Sequence, residues 1–476
     1  MRSHLLNDTT AERYRGSVTE GVERVAARLA TASRPFTGIT ADALAPRVGA
    51  VDLDEPLHDT LAALDELEEL YLRDAVHLHH PRHLAHLHSP VVIPALVGEA
   101  VLSAVNSSLD TWDRSAGATL IERRVVDWTA ARIGLGRDAD GVFTGGGAES
   151  DLHALLLARE AAGDRDPATL HVFTSEAARP GIRAAARVLG LGEDAVVSLP
   201  TDRNKRLQTV ALAHALERCR REGLSPMAVV ATAGTADFGS IDPLPEIAKL
   251  CARYGTWLHV DAAYGCGLLA SRRYRHLIDG IEHADSVTVD FHKSFFQPVS
   301  SSALLVRDRA TLSCATYRTT YRERVPDQAD KSLRTTRRFD ALKLWVTLRV
   351  MGADAVGDLF DEVCALATEG WHHLVADPRF DVVVEPQLST LVFRCVPAAI
   401  CAPATIDRAN LYARKALFAA GDAVVAGARV GDRQYLKFTL LNPETTLADI
   451  TAVLDLIAGH VEQYLAERGE HLDRAC

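Results

Sequence analysis

The pattern of hydrophobic positions divides the chain into three parts. As far as about residue 135, apolar residues recur at three- and four-residue spacing, notably in residues 18–29, 57–72 and 91–109. This spacing is typical of amphipathic helices, and no alternation typical of strands interrupts it. The pattern therefore predicts an α-helical N-terminal segment over residues 1–135.

Short apolar or β-branched runs alternate with helical stretches in the next part of the chain. This alternation predicts an α/β domain over residues 136–350, with a mostly parallel central sheet covered by helices. Strands interspersed with helices then predict a smaller α+β domain over residues 351–476. The predicted strands of the two domains lie at residues 142–144, 171–174, 195–199, 227–233, 256–261, 286–291 and 303–306, and at 381–384, 390–395, 423–425 and 435–440.

Charge and composition exclude several classes of partner. The chain has 52 basic and 63 acidic residues and a net charge of −11, whereas nucleic acids and anionic membranes attract basic surfaces. The most apolar stretch, residues 90–105, is too short to cross a bilayer and contains Glu99, so we expect no membrane span. Eight cysteines without a C-x-x-C pair predict reduced thiols and a cytoplasmic enzyme.

A run of three glycines follows the first predicted strand of the α/β domain. In open α/β sheets, ligands bind beyond the carboxyl ends of the strands. Gly146, Gly147 and Ala148 lie at such an end and open a helix, where exposed N–H groups favour an anion such as phosphate. A tight turn without a ligand would use the same glycines, so this motif alone decides little.

An acid and a lysine follow two later strands. Asp261 ends one strand and precedes Ala263; taken alone, this segment predicts an acid that caps the next helix. Lys293 follows another strand. Only seven of the 52 basic residues are lysines, which makes the position of Lys293 informative, although a lone lysine is usually a surface residue. Pyridoxal phosphate requires a phosphate cradle, an acid at its ring nitrogen and a lysine for its Schiff base. The order of these motifs predicts that cofactor, with Thr235 adding a small polar group.

Several longer segments resemble the group II pyridoxal-phosphate-dependent amino-acid decarboxylases. Among them, bacterial lysine decarboxylases of hydroxamate-siderophore (desferrioxamine-type) pathways are the most similar. The resemblance implies a fold-type I homodimer whose N-terminal helices wrap the partner, with active sites at the subunit interface. It also implies decarboxylation of L-lysine to cadaverine. The segments that carry it are residues 80–82, 106–112, 260–266, 291–298 and 438–443.

The resemblance implies a role for each cofactor residue. Lys293 would hold the cofactor, Asp261 would pair with its ring nitrogen, and Ala263 would lie against the ring. His292 and the backbone of residues 146–148 would face the phosphate. Six histidines between residues 77 and 88 lack the spacing of a zinc site, and we predict no metal.

Substrate contacts are implied less directly. The resemblance places His80 on the substrate side. A distal ammonium group would need a carboxylate, for which Asp110, Asp113 and Glu122 are candidates by neighbourhood. Lys437 either binds a substrate carboxylate or is an ordinary residue on a strand face.

The chain departs from the family pattern at its predicted site. Arg179 stands where the family has a histidine stacked on the cofactor ring. A guanidinium can also stack on a ring, but it stays protonated near neutral pH and therefore has no acid–base role. Gly145 and Ala148 replace hydroxyl residues, and Asp151 replaces a neutral one. We expect these changes to weaken cofactor binding.

The proton donor of the reaction is the least defined group. Tyr321 either returns a proton to Cα, as a loop tyrosine does in this family, or is an ordinary loop residue in a segment shorter than the family's. The departures therefore leave two alternative functions open. One is oxidative deamination after decarboxylation, and the other is a catalytically impaired paralogue that partners an intact decarboxylase.

Overall fold

The computed structural model describes residues 2–315, 328–397 and 402–473. The strands are β1 His83–Leu84, β2 Asp140–Thr144, β3 Leu170–Ser175, β4 Val196–Leu199, β5 Ser225–Thr232, β6 Trp257–Asp261, β7 Ser286–Asp290, β8 Ser302–Val306, β9 Phe380–Val382, β10 Thr390–Cys395, β11 Val424–Val430 and β12 Arg433–Thr439. The helices are α1 Ala11–Thr31, α2 Ala41–Gly49, α3 Thr60–Leu67, α4 Ile93–Val105, α5 Trp112–Ser115, α6 Gly117–Ile133, α7 Gly147–Ala161, α8 Gly181–Val188, α9 Thr209–Arg221, α10 Leu244–Tyr254, α11 Phe291–Ser294, α12 Ala341–Val350, α13 Gly352–Ala376, α14 Pro403–Ala420 and α15 Leu447–Asp473.

The larger of two compact units contains a seven-stranded sheet in the order β2-β8-β7-β6-β5-β3-β4. Strand β8 pairs antiparallel with both β2 and β7, and the other pairs are parallel. Each of the seven strands coincides with a predicted run. The predicted α/β fold with a mostly parallel sheet is therefore confirmed.

Apolar side chains of helices α7 and α8 cover one face of this sheet. Leu155 and Ile182 lie in a buried cluster with Val172, Ala228 and Val230 of strands β3 and β5. Such strands read as continuous apolar runs because both faces of a parallel sheet are buried. This packing fixes the first turns of α7 and α8 relative to the strand ends.

A buried ion pair ties strand β2 to its surroundings. The guanidinium of Arg337 lies 2.8 Å from the carboxylate of Glu122 on α6, and both side chains are about 1% exposed. The same guanidinium donates hydrogen bonds to the carbonyl oxygens of Phe143 in β2 and Leu109. Glu122 was a candidate for substrate binding in the sequence. In the structure it is buried and paired with Arg337.

The smaller unit contains a five-stranded sheet in the order β1-β11-β12-β10-β9. Strand β1 pairs parallel with β11, and Asn442 and Thr445 donate hydrogen bonds to the carbonyl oxygens of His79 and Pro81. The N-terminal part up to His86 therefore groups with the C-terminal segments 369–383 and 392–476, while residues 87–135 group with the large sheet. Strand β1 is only two residues long and gives no periodic signal, so the sequence pattern does not reveal this grouping.

Within the residues that the structure describes, no helix combines the length and the apolar character needed to cross a membrane. Their six cysteines are free, and all except Cys314 are buried.

A buried histidine of α7 predicts a dependence of stability on pH. Burial lowers the pKa of His153 from 6.5 to about 4, and its side chain is 1% exposed. Between pH 6.5 and 4 the unfolded chain therefore takes up a proton that the folded protein does not, and stability falls. Acidification from pH 8 to pH 5 should therefore lower the free energy of unfolding by about 2 kcal/mol through His153.

The change is measured by denaturant unfolding of the unmodified protein and of His153→Leu at both pH values. The variant should lose about 2 kcal/mol less on acidification. His214→Leu, at an exposed position of α9, is the control and should behave like the unmodified protein. Equal losses in all three proteins would contradict the prediction.

Candidate active site

The candidate site lies at one edge of the large sheet. Strands β2, β3, β5, β6 and β7 run in the same direction, so their carboxyl ends meet at this edge. Strands β6 and β7 are neighbours and end in Asp261 and Asp290, respectively. The sheet thus brings together side chains that are far apart in sequence.

Lys293 lies in the short helix α11, directly after strand β7. Its Nζ is 2.9 Å from Oδ2 of Asp290, and its side chain is 13% exposed. Oδ1 of Asp290 accepts a hydrogen bond of 2.7 Å from the Ser302 hydroxyl. The lysine amine is therefore held at the strand ends by a buried carboxylate. Asp290 was missed in the sequence, although its place at the end of an apolar run, three residues before the lysine, was a usable signal.

Asp261 is buried and both of its carboxylate oxygens accept hydrogen bonds. Oδ1 accepts one of 3.0 Å from the N–H of Ala263, and Oδ2 accepts one of 2.7 Å from Nε of Arg179. Burial by itself raises the pKa of Asp261, but the charges of Arg179 and Lys293 outweigh it and hold this pKa below its usual value. Asp261 is therefore an ionised carboxylate next to two cations.

Arg179 also contacts Asp151, which the sequence identified as a second departure at the predicted site. Its Nη2 lies 2.6 Å from Oδ2 of Asp151. Oδ1 of Asp151 lies 3.2 Å from the Thr288 hydroxyl and 3.3 Å from Nε2 of His259. Burial and the charge of Asp261 raise the pKa of Asp151, against the opposing effects of His259 and Arg179. The two departures from the family pattern are thus partners in one ion pair.

The glycine turn opens helix α7 as predicted. Gly146 has a φ of 153° and no side chain caps the helix. No protein acceptor in the described ranges is bonded to the N–H groups of Gly146, Gly147 and Ala148. A Cβ on Gly147 would lie 2.6 Å from Nη1 of Arg179 and 3.0 Å from Oδ2 of Asp290. The absence of a side chain at residue 147 leaves room for these charged groups.

The remaining predicted residues of the large unit occupy well-defined positions. Nδ1 of His292 is 3.0 Å from the carbonyl oxygen of Ser301, and burial lowers its pKa despite Asp290. Thr235 is buried, and its hydroxyl accepts a hydrogen bond from the N–H of Ser240. The carboxylate of Asp110 is paired with Arg114 at 2.9 Å.

Two predicted residues belong to the smaller unit, and a third is not among the described residues. His80 and Lys437 belong to the smaller unit; Nδ1 of His80 accepts the N–H of Arg82, and Lys437 lies opposite Ala426 in the β11–β12 pair. Tyr321 lies outside the described residues. No group of three or more metal-ligating side chains was found where the structure places residues.

These residues fit the predicted cofactor in three respects. A lysine amine, an ionised acid and a turn with free N–H groups lie at one sheet edge, as pyridoxal phosphate requires. Arg179 differs, because it bonds the acid that the ring nitrogen needs. The described residues therefore supply these three features, while Arg179 occupies one oxygen of the acid.

Comparisons with known proteins agree with this geometry. The pyridoxal-dependent decarboxylase conserved domain matches residues 52–396. An L-2,4-diaminobutyrate decarboxylase of Rhizobium meliloti (strain 1021) is 39% identical over 93% of this chain and 91% of its own. One of Acinetobacter baumannii is 34% identical over 94% and 93%.

A solved structure extends the similarity to the fold. The glutamate decarboxylase domain of diaminobutyrate-pyruvate transaminase and L-2,4-diaminobutyrate decarboxylase from Vibrio parahaemolyticus has a TM-score of 0.89 and 31% identity. The match covers 97% of this chain and 98% of that one.

The close approach at Gly147 yields a prediction. In Gly147→Ala the new methyl group would displace the guanidinium of Arg179, which two carboxylates hold in place. We expect a loss of about 1–3 kcal/mol in the free energy of unfolding. Gly181 also begins a helix but has no atom within 4 Å of a Cβ, so Gly181→Ala is the matched control and should change stability by less than about 1 kcal/mol. Equal effects of the two substitutions in urea unfolding would refute the assignment.

Proposed function

Since the chain belongs to the pyridoxal-dependent amino-acid decarboxylase family, with pyridoxal 5'-phosphate as cofactor, we propose that it decarboxylates an L-amino acid carrying a second amino group. The observation that carries the proposal is the position of Lys293 and Asp261 at the ends of adjacent strands, beside a glycine turn with free N–H groups. L-2,4-Diaminobutyrate is the first substrate to test and L-lysine the second.

Different residues of the chain would bind different parts of the cofactor. Pyridoxal phosphate, when bound, supplies an electron sink for the bond that breaks at Cα. Lys293 would provide the attachment point, and the carboxylate of Asp290 would orient the amine of Lys293. Asp261 would keep a proton at the ring nitrogen, and the N–H groups of residues 146–148 would bind the phosphate.

The order of substrates follows from the relatives. The two curated relatives described above are both named L-2,4-diaminobutyrate decarboxylases. These matches do not support the narrower resemblance to siderophore-pathway lysine decarboxylases, so lysine, cadaverine and a siderophore role stay a prediction. Both substrates carry an ammonium group beyond Cα, and they differ in the length of the chain that bears it.

The impaired-paralogue alternative has one observation in its favour. Arg179 occupies Oδ2 of Asp261, the group on which the electron sink depends. The activity assay must therefore include a readout of cofactor binding.

Purified protein with excess cofactor is incubated separately with L-2,4-diaminobutyrate, L-ornithine and L-lysine, while carbon dioxide and hydrogen peroxide are measured. We expect carbon dioxide without peroxide, with the highest kcat/KM for 2,4-diaminobutyrate. Lys293→Ala should lose the visible absorption of the bound cofactor and at least about a thousandfold in kcat. Lys249→Ala, at an exposed position of α10, is the control and should keep both.

Each other outcome has a definite meaning. Peroxide equal to carbon dioxide would replace the proposal with oxidative deamination. A bound cofactor without either product from any of the three substrates would favour the impaired paralogue. A preference for lysine would restore the narrower resemblance.

We further propose that the enzyme is a homodimer and that helix α4 contributes to the interface. Ile93, Val97, Val101 and Val105 recur every four residues on one face of α4 and are between 49% and 76% exposed. The opposite face packs closely on α12, where a Cβ on Gly98 would lie 3.0 Å from the Cα of Lys343. An apolar stripe of this kind on a tightly packed helix is typical of a protein interface.

Charged substitutions in this stripe test the interface. Val97→Arg/Val101→Arg should weaken dimerisation at least about a hundredfold, because each arginine would have to be buried without a partner. The control is Val188→Arg/Val210→Arg, at two isolated apolar positions with 69% and 68% exposure. Sedimentation velocity at several protein concentrations gives the dissociation constants. A dimer that survives the first pair of substitutions, or an unmodified protein that sediments as a monomer, contradicts the proposal.

A further inference from the structure

The guanidinium of Arg179 lies between two buried carboxylates. Nε is 2.7 Å from Oδ2 of Asp261, and Nη2 is 2.6 Å from Oδ2 of Asp151. Hydrogen bonds of this length between ionised groups are strong. Arg179 is therefore held in the site and does not extend into solvent.

Arg179 and the cofactor require the same oxygen atom. Oδ1 of Asp261 is directed by the N–H of Ala263, which leaves Oδ2 as the oxygen that faces a cation. A protonated ring nitrogen also needs a carboxylate oxygen of this acid. The two cations therefore compete for Oδ2.

Asp151 is a fixed anchor on the other side of the guanidinium. It is fully buried, and its Oδ1 contacts Thr288 and His259. The side chain of Arg179, in contrast, is 21% exposed and has the length to swing. A guanidinium that leaves Asp261 can therefore stay bonded to Asp151.

We propose that Arg179 and Asp151 form a latch, in which Arg179 occupies Oδ2 of Asp261 until the ring nitrogen of the cofactor displaces it, and Asp151 retains the displaced guanidinium. Both are positioning residues, which act through Asp261. The inference rests on the proposed function, because it assumes that pyridoxal phosphate binds at Lys293. It implies that the Arg179–Asp261 contact offsets much of what the ring nitrogen contributes to cofactor affinity.

The first test measures cofactor affinity and does not measure catalysis. Cofactor-free protein is titrated with pyridoxal 5'-phosphate and followed by visible absorption. Arg179→Gln should bind about tenfold more tightly than the unmodified protein, since no cation has to leave Asp261. Arg187→Gln, an arginine of α8 paired with exposed Glu193, is the control and should bind like the unmodified protein.

The second test uses Asp151→Asn, which keeps the size of the side chain. The displaced guanidinium then loses its anchor, so cofactor binding should weaken about tenfold. In Arg179→Gln/Asp151→Asn the Asp151 substitution should no longer weaken binding tenfold, because its effect as an anchor requires the guanidinium of Arg179. A purely structural role of Asp151 would weaken binding equally in both backgrounds and overturn the latch.

A third measurement compares two ligands of nearly the same shape on one protein. The probe is the cofactor analogue in which a C–H group replaces the ring nitrogen. The unmodified protein should bind pyridoxal phosphate less than about tenfold more tightly than this analogue. The reason is that the ring nitrogen gains its contact to Asp261 only when Arg179 loses its own. In Arg179→Gln the same preference should rise about tenfold.

The outcomes separate this inference from the proposed function. A large preference for the ring nitrogen in the unmodified protein, or binding that weakens in Arg179→Gln, overturns the latch while leaving the decarboxylase proposal intact. If neither the unmodified protein nor Arg179→Gln binds the cofactor, both proposals fail. Tighter binding in Arg179→Gln together with non-additive effects of Asp151→Asn supports the latch.

Discussion

The arrangement of the site depends on three buried carboxylates, each of which needs a nearby cation or hydrogen-bond donors. Two of them end strands β6 and β7, and the third lies on helix α7 beside them. Asp151, Asp261 and Asp290 are each at most 4% exposed. A buried carboxylate without a partner is costly, so each must find a cation or several hydrogen-bond donors. Arg179 serves the first two, and Lys293 serves the third. The lysine amine is oriented by the same balance of charge that holds the guanidinium.

The sheet makes this balance possible because it places side chains that are far apart in the sequence next to one another. Asp261 and Asp290 end neighbouring parallel strands, and antiparallel strand β8 brings the hydroxyl of Ser302 to Asp290. The edge of the sheet is held from outside the site by Arg337, which bonds Glu122 and the backbone of strand β2. The Arg337–Glu122 ion pair thus stabilises the sheet, whereas the Arg179–Asp261 ion pair belongs to the candidate active site of the same unit.

The sequence was sufficient to predict the seven strands of the large sheet, because buried parallel strands are continuous apolar runs. It also placed Asp261 and Lys293 at strand ends but missed Asp290, the partner of the lysine amine. It did not reveal strand β1, whose two residues carry no periodicity and depend on pairing with β11. It identified Arg179 and Asp151 as separate departures, since nothing in their spacing shows that the side chains meet. Contacts of this kind depend on the directions of side chains on helix α7 and on the loop before helix α8, which a linear pattern does not encode.

The pairing of these two departures changes their meaning. A neutral histidine at residue 179 would leave the carboxylate of Asp151 without its cation, and an arginine beside a neutral residue 151 would have Asp261 as its main partner. Each substitution alone therefore disturbs the charge of the site, whereas together they preserve it. What the pair alters is the competition for Asp261, because an arginine carries a permanent charge that a histidine near neutral pH need not carry. An arginine at residue 179 thus changes how the acid of the site is shared, while the lysine, the acid and the glycine turn stay in place.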